Sequence, residues 1–135
     1  MLPSLAVPPR KLSGRQAAQV TFLETLPAKF ERIHRHIEEI ASLRAGDTSV
    51  RALSRMLDEL RNGANTLLLN SLADTFGLMS MLARRGGGLQ MKVRGLREGL
   101  VSLKANYDGA LRAATREEQK DEDEGPIQPE LNPRP

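Results

Sequence analysis

The chain has 135 residues, 39% of them hydrophobic, 27% charged and only 3% aromatic. That length fits one domain, and a core so poor in aromatics must be built from Leu, Ile, Val, Met and Ala, which favours helices over sheets. The absence of cysteine and tryptophan excludes disulfides, thiolate metal sites and a cysteine nucleophile.

The segment 1–14 has three prolines and the basic pair Arg10 and Lys11 but no continuous apolar run. It reads as a flexible N-terminal segment rather than a signal peptide. No stretch approaches the roughly 18 apolar residues that a membrane span requires, so a cytoplasmic protein is expected.

Helical periodicity begins near Arg15. Leu23, Leu26, Phe30, Ile33, Ile37 and Ile40 follow in steps of three and four, the stripe of a bundle helix. Pro27 predicts a break between a short first helix and this longer one, because a proline inside a helix removes a hydrogen bond. Gly46 is expected to end it, with Asp47 or Thr48 capping the next. Both histidines lie on this helix. His34 and His36 are two residues apart and so fall on opposite sides of the Ile33/Ile37 stripe, where they cannot share a metal. Glu38 and Glu39 splay apart in the same way, and no Glu-x-x-His pair of the di-metal bundles is present. No metal and no cofactor are expected.

A second long stripe runs Val50, Leu53, Leu57, Leu60, Ala64, Leu67, Leu68 and Leu72. A third continues through Phe76, Met79 and Leu82 or Ala83, with a break expected around Asn70–Ala73, and stops at Gly86-Gly87-Gly88. Those glycines follow Arg84 and Arg85, but Leu89 and Gln90 stand where a phosphate-binding loop needs Lys and Ser or Thr. They predict a turn. The fourth stripe is Leu89, Val93, Leu96, Leu100, Leu103, Tyr107 and Leu111. Short connections make neighbouring helices antiparallel, so the fold expected over residues 15–118 is an all-α, antiparallel up-down four-helix bundle with a short extra N-terminal helix. Leu26, Phe30, Ile33, Ile37, Leu53, Leu57, Leu60, Leu96, Leu100 and Leu103 form its predicted core. Such stripes suit a monomer or equally a homodimer.

Beyond residue 118 the run Lys120-Asp121-Glu122-Asp123-Glu124, then Gly125-Pro126 and three more prolines, reads as a disordered acidic tail over 119–135. The net charge of +3 therefore conceals an asymmetry: residues 117–135 carry −5 and residues 1–116 carry +8. Arg84, Arg85, Lys92, Arg94 and Arg97 form a basic face in the last third of the bundle. It could meet phosphates, but it has no aromatic side chains for stacking and no helix-turn-helix, so nucleic acid is the weaker partner class.

Two segments together suggest a family. Phe22-Leu23-Glu24-Thr25-Leu26-Pro27 resembles the entry to the second helix of the histidine-containing phosphotransfer domain of bacterial phosphorelays. Leu53-Ser54-Arg55-Met56-Leu57-Asp58-Glu59-Leu60-Arg61-Asn62-Gly63-Ala64 is similar to that family's central helix, whose pattern is His-x-Leu-Lys-Gly-Ser-Ala. Leu60 matches the leucine and Ala64 the alanine, Arg61 replaces the lysine, and Asn62 replaces the glycine. Asp58 stands where the histidine should be. The family passes a phosphoryl group between receiver aspartates through that histidine; an aspartate has no imidazole nitrogen to form the phosphoramidate. The resemblance thus implies a non-catalytic bundle that keeps a docking face for a response-regulator receiver or a histidine kinase, acting as regulator or scaffold. Periodicity separately places Ser54, Asp58, Arg61 and Asn65 on a polar stripe beside the apolar one. That stripe is expected to be exposed, with an Asp58–Arg61 pair along the helix. With Asn62 it makes the predicted partner face. The other readings are a phosphotransferase using His34 or His36, a basic nucleic-acid-binding bundle, and a chaperone or assembly adaptor with a helical groove.

Overall fold

The computed structural model describes residues 13–43 and 47–131, with side chains as far as Thr115. The predicted flexible segment thus lies, up to residue 12, outside the described residues. Ser13 opens helix α1 (Gly14–Glu24) with a reciprocal cap: its Oγ accepts the Gln16 N–H and the Gln16 side chain accepts the Ser13 N–H, both at 3.1 Å. Two donors that a helix start leaves without partners are satisfied at once. A single residue, Thr25, separates α1 from α2 (Leu26–Ala41). Pro27 falls in the first turn of α2, where its missing N–H costs nothing, so the break stands where the sequence predicts it.

Helix α2 stops short of Gly46. Its last turn closes on Ser42, and Leu43 takes a left-handed backbone (φ 58°); Gly46 itself lies outside the described residues. Helix α3 spans Asp47–Thr66, with Asp47 already its first residue rather than a cap, placed where the helix dipole favours a carboxylate. The next turn is Leu67–Leu69, earlier than the expected Asn70–Ala73. Leu68 is left-handed (φ 61°); the Leu69 N–H donates to the Ala64 carbonyl at 2.8 Å and the Leu68 N–H to Asn65 at 3.1 Å. This pair of bonds is the Schellman ending, in which the left-handed position is normally glycine. Helix α4 (Asn70–Arg84) ends at Arg85 in an extended conformation, and Gly87 (φ 117°) makes the turn expected of the three glycines.

Helix α5 runs Leu89–Leu131. Residues 119–131, expected as a disordered tail, therefore have helical backbone here, and the rest of that segment lies outside the described residues. Glu117–Glu124 is rich in Glu, Gln and Lys, residues whose unbranched side chains lose little freedom in a helix.

Every described element is helical, and no strand occurs among the described residues. Packing links α2 to α3, α3 to α4, α4 to α5 and α5 back to α2, a closed ring against which α1 leans on α5 and α2. All ten predicted core residues are buried, the most exposed being Leu60 and Leu100 at 6%. Phe76, Met79 and Leu72 fill the same core from α4. Specific pairs mark the register. Phe30 meets Tyr107 edge-on at 5.8 Å and Glu38 meets Arg97 between α2 and α5. Thr75 accepts from Asn106 between α4 and α5 at 2.9 Å. At Gly99 a Cβ would stand 2.6 Å from Met79 Cγ, so the closeness of α4 and α5 there depends on glycine.

Candidate functional site

Asp58 lies on the flank of α3 that faces α4. Its Oδ1 accepts from the Ser80 hydroxyl at 2.6 Å and its Oδ2 from Arg84 Nη1 at 2.9 Å. Ser80 is buried, at 1% exposure, while Arg84 reaches in from the surface. The Ser80 hydrogen bond and then Arg84 hold the Asp58 carboxyl below its ordinary value, against the opposing effect of burial. The group is therefore an anion near neutral pH with both oxygens engaged, a poor base and a poor nucleophile. Its ion-pair partner is Arg84 and not Arg61, because packing brings the last turn of α4 against the middle of α3, whereas Arg61 contributes only a weaker, longer-range attraction.

The predicted face divides. Arg61, Asn62 and Asn65 are exposed, but Ser54 is buried at 6% and its Oγ makes no hydrogen bond among the described residues. The expectation of an exposed stripe is therefore corrected at Ser54: its small side chain, at the edge of the Leu53/Leu57 apolar stripe, is enclosed by the packing of the bundle. Arg61 bends along the seam between α3 and α4. A Cβ on Gly77 would stand 3.2 Å from Arg61 Cδ, so the aliphatic stem of the arginine lies over the bare backbone of α4. Arg61 and Asn65 line a groove of about 530 Å³ together with Asp74, Gly77, Leu78 and Met81.

The predicted basic face also divides. Arg84 belongs to the Asp58 site. Arg97 is bound by both oxygens of Glu38, at 3.0 and 2.8 Å; this fork lowers the Glu38 carboxyl and raises the guanidinium. Arg85 and Arg94 are exposed and Lys92 is half-buried, so the positive charge available to a ligand is smaller than the sequence count implies. Glu38 and Glu39 do splay apart, Glu39 accepting from Ser49 at 2.8 Å. His34 is exposed; His36 is half-buried, with its Nδ1 3.6 Å from Glu39 Oε1. No group of three His, Asp or Glu side chains that could hold a metal occurs among the described residues, and none of the described helices is long and apolar enough to cross a membrane.

Ser80 and the role of Arg84 escape sequence reasoning. Ser80 falls on the core-facing side of α4 with Phe76, Met79 and Ala83, and a polar residue on an apolar stripe is the available signal that a partner must reach it. No family model, no curated protein and no solved structure matches the chain.

Proposed function

We propose that the chain is a phosphotransfer-like, non-catalytic bundle that docks a signalling protein, a response-regulator receiver or a histidine kinase, through the α3 surface around Asp58, and acts by occupancy as a regulator or scaffold. One observation carries this reading: at the position where the resembling family has its phosphorylated histidine stands a carboxylate with both oxygens held, by Ser80 and Arg84, while Arg61, Asn62 and Asn65 around it stay exposed. The chemistry is closed and the surface is open. In the same reading the protein is cytoplasmic and bacterial, with no cofactor, and its helices form an antiparallel up-down bundle with α1 as the extra helix. The pairs 58–80 and 61–77, which climb α3 while descending α4, and 30–107 and 38–97, which do the same for α2 and α5, support that topology.

His34 and His36 carry a weaker reading, since both lie on α2 away from the Asp58 site. The loss of Arg84 and Arg97 to internal pairs weakens the nucleic-acid reading.

Incubation with a phosphorylated receiver, followed by assay of acid-labile label, tests the chemistry: no label should reach the protein, and label on the unmodified chain would refute the reading. Binding of the same receiver tests the face. Arg61→Glu should weaken a complementary acidic partner by about 1–3 kcal/mol where the contact is desolvated. Affinity unchanged by substitutions at both Asp58 and Arg61 would remove the face from consideration. Asp58→His is the informative companion, because it offers an acceptor while Asn62 still crowds the approach.

A further inference from the structure

The outer face of α4 carries a pattern that folding does not require. Leu78 and Met81 are 62% and 55% exposed. At 100° per residue they lie about half a turn away from Phe76 and Ala83, which are wholly buried. The other large exposed apolar residues are scattered: Leu43 and Leu68 in turns, Met91 and Val101 on α5. Among the described residues, only on α4 do two stand together on one face. Asp74 and Arg85, both exposed and both without an ion pair among the described residues, complete the stripe.

The order of these four residues is self-complementary. Asp74, Leu78, Met81 and Arg85 follow in steps of four, three and four, so the first three share one side of the helix, and Arg85, the C-cap whose N–H still bonds the Met81 carbonyl at 3.0 Å, continues that side at its end. The midpoint of Leu78 and Met81 falls between residues 79 and 80, and so does the midpoint of Asp74 and Arg85. A twofold axis through that point sets Leu78 of one copy against Met81 of the other, and in the same register sets Asp74 against Arg85, twice over. An isologous interface demands this property, that residue i meets j while j meets i.

We infer that the outer face of α4 is a docking surface for a second copy of this chain, with the two α4 helices crossing antiparallel about a twofold axis between residues 79 and 80. The apolar centre consists of two leucines and two methionines, and the opposite charges at its ends fix orientation and register. Parallel pairing would place Asp74 beside Asp74 and Arg85 beside Arg85, and is disfavoured. Four apolar side chains and two ion pairs make a small interface, so association is reversible and depends on concentration. Asp74, Leu78 and Met81 share a groove with Arg61 and Asn65 of the α3 face, so a second copy and a receiver would compete there, but the self-complementary pattern stands whether or not that face binds a receiver.

Sedimentation of the full chain between about 1 and about 500 µM tests this, since dissociation constants in that range give measurable monomer and dimer together. The mass should rise from 14.9 kDa toward twice that value. Leu78→Asp should leave a monomer at every concentration with an unchanged helical circular dichroism spectrum, because the side chain is mostly in water. Asp74→Arg and Arg85→Asp should each weaken the dimer about tenfold or more by setting like charges together, and the double exchange should restore it by reversing both pairs. A monomer across the whole range would overturn the inference. So would a dimer that survives Leu78→Asp, or a double exchange as weak as either single one.

Discussion

At the scale of a single residue, Asp58 accepts both side-chain hydrogen bonds that join α3 to α4 among the described residues. Replacing it by alanine deprives the buried Ser80 hydroxyl of its acceptor and Arg84 of its counter-charge. A loss of about 1–3 kcal/mol is expected from urea unfolding at neutral pH. The pH dependence has a definite sign. The folded carboxyl titrates below the ordinary value of 3.8, so its charged form is the stabilised one. Its contribution is complete above that ordinary value and disappears as the pH falls through the lower, folded one. Asp58→Asn, which keeps an oxygen for Ser80, should therefore be less stable than the parent at neutral pH and approach it in acid. A gap that is constant with pH would mean that the charge contributes nothing. Ser54 shows why this flank was hard to read in advance. Spacing fixes the angle of a residue around its own helix axis, but a flank at the edge of the apolar stripe is solvated or covered according to where the neighbouring helix lies. Arg61, Asn62 and Asn65 ended in water and Ser54 in the interior, although all four belong to one predicted patch.

At the scale of the element, the turn between α3 and α4 is the least legible feature. The six residues from Ala64 to Leu69 contain no glycine or proline, yet the backbone reverses at Leu68 with φ 61°. The reason lies in Leu69: the ending swings this residue into the core, where it is 8% exposed, and leaves Leu68 at 55%. Burial of one leucine thus offsets the left-handed strain of the other. Leu68→Gly should relieve that strain and stabilise the protein by about 0.5–1 kcal/mol, net of the extra freedom gained by the unfolded chain. Leu68→Ala retains the Cβ and should bring no such gain, so the pair separates backbone strain from the loss of a half-exposed side chain. By contrast, Pro27 and Gly86–Gly88 punctuate the chain by their own covalent geometry, which explains why both breaks were legible.

At the scale of the whole molecule, the ring of contacts from α2 through α5 means that a cavity opened in one seam is felt by the others. Leu60 on α3 and Leu100 on α5 are each 6% exposed, and truncation to alanine at either should cost about 2–5 kcal/mol. Losses below about 1 kcal/mol at both positions would be incompatible with a shared close-packed core. The ten predicted core positions were readable because steps of three and four leave few ways to bury so many leucines and isoleucines, whereas the exchange of Leu68 for Leu69 at the α3–α4 turn was not. The polar ties were not: Glu38 with Arg97, Thr75 with Asn106 and Asp58 with Ser80 and Arg84 join residues 22 to 59 positions apart, and a local pattern carries no information about such distances.

The edge-on contact of Phe30 with Tyr107 has an optical consequence. The chain has one tyrosine and no tryptophan, so its tyrosine emission arises from a single ring, set against Phe30 between α2 and α5. Tyr107 is therefore an intrinsic reporter of that seam alone. Separation of α2 from α5 should alter its emission, whereas events confined to the outer side of α4 should leave it unchanged. A comparison with backbone circular dichroism would then tell whether the bundle parts first at α2–α5 or dissolves as one cooperative unit.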